Sequence, residues 1–160
     1  MAWDFDHGAF YEAVRDALRA DATIQSYIPR VSNWVQIVAD PLQPLEDEWK
    51  PPCIAVHDGG VLSKWDHSPD EVEIIIRCEI HCYTRIMKPH KPEIEMLGDA
   101  HNVGLFDLVN AALDVLKTNE LGYVSIHPEV ESISESERLE VNNQKTAHQV
   151  ATIVWTKWHD

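Results

Sequence analysis

EVEIIIRCEIHCYTR, residues 71–85, decides the fold. Val72, Ile74, Ile76, Cys78, Ile80 and Cys82 take alternate positions. Glu71, Glu73, Arg77, Glu79 and His81 take the others, with Ile75 and Tyr83 as apolar exceptions. A period of two marks a strand with one face on a core and the other face wetter. Cys53 to His57 reads as a shorter strand and pairs with it as a hairpin. Asp58-Gly59-Gly60 reads as a turn, and Gly59 to Asp70 as a long connection.

Helical periodicity lies on both sides of this hairpin. From Gly8 to Tyr27, Phe10, Val14, Ala17 and Leu18 recur at helical spacing among charged residues, and Pro29 closes the segment. From Pro92 to Lys117, the stripe Leu97, His101, Leu105, Leu108, Ala112, Leu113 and Leu116 predicts a second helix, ended by Asn119-Glu120-Leu121-Gly122. Val35 to Val38 reads as a short strand. Asp40 to Pro52, with four prolines, reads as an extended surface loop. Tyr123 to Ile126 reads as another short strand. Val130 to Val141 and His148 to Trp158 read as a closing strand pair, turning at Asn142-Asn143-Gln144. Antiparallel hairpins segregated from two main helices predict a single α+β domain over residues 1–160, a mostly antiparallel sheet in two layers.

Composition narrows function by exclusion. Twenty-seven acids against 13 bases give a net charge of −14. That opposes general nucleic-acid binding, which needs Lys and Arg against phosphate, and docking on an anionic membrane. No apolar run approaches the roughly 20 residues of a membrane span. The N-terminus shows no basic-then-apolar leader, so a cytosolic setting is expected. In that setting Cys53, Cys78 and Cys82 are expected to be reduced core thiols.

Motifs for chemistry are absent from the sequence. It holds no phosphate-binding glycine loop, no Gly-x-Ser-x-Gly elbow and no His-Glu-x-x-His. Cys78 and Cys82 point to one face of their strand and His81 to the other, so the three cannot share an ion. Asp99 and His101 diverge on a helix, and His57, His67, His90, His127, His148 and His159 are scattered. Carboxylate pairs such as Glu93 with Glu95, or Glu135 with Glu137, are expected by chance in so acidic a chain. Neither an enzyme nor a cofactor or metal is expected.

Six tryptophans are many for 160 residues. Trp49 and Trp65 fall in predicted loops beside charges, Lys50 in one and Lys64 and Asp66 in the other. A large aromatic with a polar rim suits an interface, so Trp49, Lys50, Lys64, Trp65 and Asp66 are the candidate partner-binding residues.

The order of elements carries a resemblance. A first helix ends at Pro29-Arg30-Val31. Pro51-Pro52-Cys53-Ile54-Ala55-Val56 leads into a strand, and the long strand 71–85 follows. Then come the helical run from Gly98 to Leu113 and closing strands ending in Val154-Trp155-Thr156-Lys157-Trp158. This resembles the tail terminator proteins of tailed bacteriophages and the related tail-completion and neck proteins. The resemblance implies a virion protein forming a six-membered ring on the head-proximal end of the tail tube. Its partners would be copies of itself, the tail tube protein, a neck or head-completion protein and, in contractile phages, the sheath protein. DNA would pass its acidic lumen without specific binding. Other readings are a different neck or head-completion protein, an enzyme of unknown class, and a host protein that competes with DNA for a basic partner.

Trp65→Ala is expected to leave folding intact and weaken assembly. Thermal melting alongside an assembly assay checks this, and a large stability loss with unchanged assembly would put Trp65 in the core instead.

Overall fold

The computed structural model describes residues 6–47, 49–65, 72–86, 91–117, 119, 121, 128–141 and 144–159; of 63–65, 72, 141, 144 and 157–159 only the backbone is described. The elements in chain order are α1 (His7–Ala20), α2 (Ala22–Tyr27), α3 (Val31–Trp34), β1 (Val35–Val38), α4 (Gln43–Glu46), β2 (Cys53–Trp65), β3 (Val72–Arg85), α5 (Pro92–Leu97), α6 (Leu105–Leu116), β4 (Glu129–Ile133), β5 (Glu137–Val141) and β6 (Gln144–His159). The class is α+β; the described residues form a mixed six-stranded sheet and six helices, two of them long.

The sheet runs β1-β2-β3-β6, and β4 and β5 follow one another along the outer side of β6. β1 and β2 are parallel and every other pair is antiparallel. β3 lies between β2 and β6, and its alternation sets the two faces. Ile80 is paired with Val56 on one side and Ala151 on the other, Cys78 with Ile153, and Ile76 with Trp155. All of these are fully buried. Phe10, Val14 and Leu18 of α1 and Leu105, Leu108, Ala112 and Leu116 of α6 close over this face. Phe10 meets Trp155 edge to face at 5.1 Å, an arrangement favoured by the ring quadrupoles. The Trp155 indole N–H donates to the Asn119 carbonyl at 2.9 Å, so its one polar atom is satisfied.

Several boundaries differ from the sequence reading, each for a local reason. The first helix is two. Asp21 leaves helical geometry at the end of α1 and caps α2, accepting from the Ile24 N–H at 3.0 Å. The second predicted helix is also two. Gly98 (φ 74°) ends α5, and a β-carbon on Gly104 would lie 2.4 Å from the Leu97 carbonyl carbon. The chain therefore folds back on itself between the glycines, and Leu97 and His101 are exposed outside the apolar stripe. Asp58-Gly59-Gly60 is not a turn but an irregularity inside β2, which pairs onward to Trp65. A β-carbon on Gly59 would sit 2.8 Å from that of Arg77, and Gly60 has φ 100°, so glycine fits both positions.

Tyr11 pins this bulge. Its hydroxyl lies 2.7 Å from the Arg77 carbonyl and 3.0 Å from Asp58 Oδ1, one donor between two acceptors. Burial, then Asp58, pushes the phenol pKa well up, which keeps the donor in place. The closing strand pair is a triple. β4 and β5 are separated by residues 134–136, where Ser134 stitches the gap. Its N–H donates to the Val150 carbonyl at 2.8 Å, and its Oγ accepts from the Val150 N–H at 2.9 Å. The predicted strand Tyr123 to Ile126 and the turn residues Asn142 and Asn143 lie outside the described residues.

Ile76→Ala should cost about 2–5 kcal/mol, the usual range for truncating a buried isoleucine. Chemical denaturation measures it, and a loss under about 1 kcal/mol would contradict the burial of this face.

Candidate functional site

The predicted partner residues separate in the structure. Trp49 is only 9 % exposed and packs in a second core with Val38, Cys53, Ala55 and Tyr83. Its ring lies 6.3 Å from that of Trp34, so it is occupied within the chain. The segment Asp40 to Pro52 is accordingly not an extended surface loop. It contains α4 and folds over the sheet face opposite α1 and α6, with Pro44 buried and Trp49 as its anchor. Lys50 is exposed at the rim of a cleft of about 360 Å³, with Ile28, Pro29, Arg30, Trp34, Pro51 and Pro52. Lys64 and Trp65 are backbone-paired in β2 with Glu73 and Val72 of β3, not in a loop. Asp66 lies outside the described residues.

Beside the second core, the same sheet face carries a row of polar side chains that the sequence reading left scattered. His57 of β2 is the cross-strand partner of Glu79 of β3, and Glu137 of β5 that of His148 of β6. Positions 79 and 81 share the face opposite Ile80 because side chains alternate. His57 Nδ1 lies 3.0 Å from Glu79 Oε1, and His81 Nε2 lies 3.0 Å from the same oxygen. His81 Nδ1 then lies 2.9 Å from His148 Nε2, and His148 Nδ1 lies 2.6 Å from Glu137 Oε1. Tyr83 stacks on the His148 ring at 4.5 Å, joining the row to the second core.

The row grades from dry to wet. The His81 and His148 side chains are 7 % and 8 % exposed, His57 21 %, Glu79 34 % and Glu137 55 %. Burial pushes the His81 pKa down, against the opposing pull of Glu79. Burial acts to raise Glu79, but hydrogen bonds and charge from His81 and His57 outweigh it and hold its pKa below the ordinary value. Glu79 is therefore a carboxylate offering one oxygen to two imidazoles. His57 Nδ1, Glu79 Oε1 and His81 Nε2 all lie within 4.8 Å of one another. The row lines neither the cleft at Lys50 nor the clefts beside Thr84 and beside Phe106. The cysteines take no part. All three are free and buried, and burial pushes their thiols up, Cys82 to about 12, which leaves them protonated and inert.

Half of this row was readable. His81 does point away from Cys78 and Cys82, and Glu79 shares its parity. The pairing of His57 with Glu79 follows once the β2–β3 register is known. His148 and Glu137 could be joined to it only through the register of β6, which no residue in the sequence declares.

Among the described residues, no helix is long and apolar enough to cross a membrane. No protein-family model matches the chain, and no curated protein matches it.

Proposed function

We propose that the chain is a tail-terminator-type virion protein, a non-enzymatic ring subunit that caps the head-proximal end of a phage tail tube and joins it to the neck. One observation carries the reading: the two ends of the sheet bear different and complementary surfaces. Beside β1, the cleft at Trp34 and the paired prolines is rimmed by the exposed cations Arg30 and Lys50. At the far end, β4, β5 and the residues between them expose Glu129, Glu135, Glu137 and Glu140, together with Glu131, which pairs with Arg77 at 2.9 Å, Val130 (42 % exposed) and Ile133 (48 %). Arg138, the cation on that edge strand, is engaged by buried Glu95 through two hydrogen bonds of 3.2 and 2.6 Å.

A basic, partly apolar notch and an acidic, partly apolar edge on opposite ends of one subunit suit head-to-tail contact between copies. Such heterologous contacts close into rings when the rotation permits. Two like copies of the acidic edge would repel, which steers against the alternative back-to-back dimer. A ring that matches the growing face of a tube and presents another face beyond it ends polymerisation without chemistry. Its net charge of −14 suits a passage for DNA, since phosphates are repelled by carboxylates.

Light scattering across concentration, with electron microscopy of the same sample, is expected to show six-fold rings, alone or on adding purified tail tubes. A chain that stays monomeric and ignores tube ends would rule the proposal out. Binding to portal-bearing heads alone would move it to head completion. The joint change Arg30→Glu and Lys50→Glu should weaken self-association by ~10-fold or more, with little effect on melting, because like charges then face each other. Combining it with Glu129→Lys and Glu135→Lys should restore assembly.

A further inference from the structure

We propose that His57 Nδ1, Glu79 Oε1 and His81 Nε2 form a binding site for a divalent transition-metal ion of the zinc type. The proposal does not depend on the ring reading. Two imidazole nitrogens and one carboxylate oxygen are a ligand set zinc accepts, with the remaining position left to water or another ligand. Each nitrogen is 3.0 Å from the shared oxygen. Tetrahedral ligands about 2.0–2.1 Å from zinc are separated by roughly 3.3–3.4 Å, so each nitrogen–oxygen separation need open by only a few tenths of an ångström, and the two nitrogens, within 4.8 Å of each other, would come to the same spacing. The ligands stand on two paired strands, with His57 and Glu79 directly opposite, which fixes their separation through the backbone. The exposures of His57 and Glu79, 21 % and 34 %, leave a path for the ion and an open coordination position.

A second observation comes from counting protons. The row makes four close contacts in sequence: His57 to Glu79, Glu79 to His81, His81 to His148 and His148 to Glu137. Three neutral imidazoles carry three N–H groups for four contacts, so either one ring holds a second proton or one contact lacks one. An ion at Glu79 replaces the hydrogen bonds on both sides of it. His81 then keeps its proton on Nδ1 and donates to His148 Nε2, and His148 donates from Nδ1 to Glu137. Every contact is satisfied with neutral rings. A metal-bound imidazole whose other nitrogen donates to a fixed acceptor is the usual outer arrangement of such sites, and here it is a histidine backed by a glutamate.

Zinc added to the chelator-treated full chain is expected to bind at one ion per chain and to raise the melting temperature with concentration. Cobalt in its place should give the visible bands of a low-coordinate nitrogen–oxygen site. His57→Ala and Glu79→Gln should each lower affinity by at least ~10-fold, and Glu137→Ala by about 10-fold through the outer partner. His101→Ala, on an exposed turn, should bind as the parent does. If a variant fails to fold, nitrogen-resolved NMR of the parent decides, since zinc must shift His57 at Nδ1 and His81 at Nε2. Absence of zinc binding, or binding that survives both His57→Ala and Glu79→Gln, overturns the proposal.

Discussion

Everything in this molecule depends on the register of β3 between β2 and β6. The strand puts Ile74, Ile76, Cys78, Ile80 and Cys82 under the helices and Glu79, His81 and Tyr83 on the other face. A slip of one residue against either neighbour would exchange the two sets, burying carboxylate and imidazole against Phe10 and Leu108. The cost of such burial without partners is several kcal/mol per group, so hydrophobic core and polar row specify the same register from opposite sides. Tyr11 adds a lock, because its hydroxyl reads the Arg77 carbonyl and Asp58 at the β2 bulge. It does so from α1, so the helix layer cannot slide along the sheet without leaving that buried hydroxyl unpaired.

What the sequence disclosed follows from that hierarchy. Alternation along 73–85 is a property of one strand, and it is legible within that strand alone. The helical faces of α1 and α6 were legible for the same reason, since Phe10, Val14 and Leu18, and Leu105, Leu108 and Leu116, repeat within a single segment. Breaks were not legible where one residue overrides a longer pattern. Asp21 serves two helices at once, and Gly98 with Gly104 folds a segment that otherwise reads as continuous. The bulge at Gly59 and Gly60 was mistaken for a turn because glycine supports both. Only Arg77, distant along the chain and packed against Gly59 across the strand pair, decides between them.

The candidate site was less legible because it belongs to no segment. Its members come from β2, β3, β5 and β6, and only their registers bring them together. Trp49 illustrates the same limit in the other direction. Charges flank it and prolines surround it, as at an interface, yet α4 carries it onto Tyr83, where the sheet face would otherwise lie open. Its companion Lys50 remains outside, so one predicted loop divides into a core anchor and a rim cation.

The charge distribution ties these levels to the proposed assembly. An edge strand with free backbone groups invites unwanted pairing, and charged side chains on it are the common protection. Here glutamates line β4 and β5, where β6 leaves its last partners exposed to solvent on their outer side. The protection is selective, because a surface that rejects its own kind accepts a basic one. The chain meets part of its acidic edge itself, Glu131 through Arg77 at 2.9 Å and Glu137 through His148 at 2.6 Å, whereas the cations Arg30 and Lys50 stand beside β1 at the far end of the strand order. On the proposed reading, a second copy whose notch meets the rest of that edge leaves its own edge free for the next. A propagating contact of that kind either closes or grows without limit, and the sign of the charge on each end fixes which faces meet.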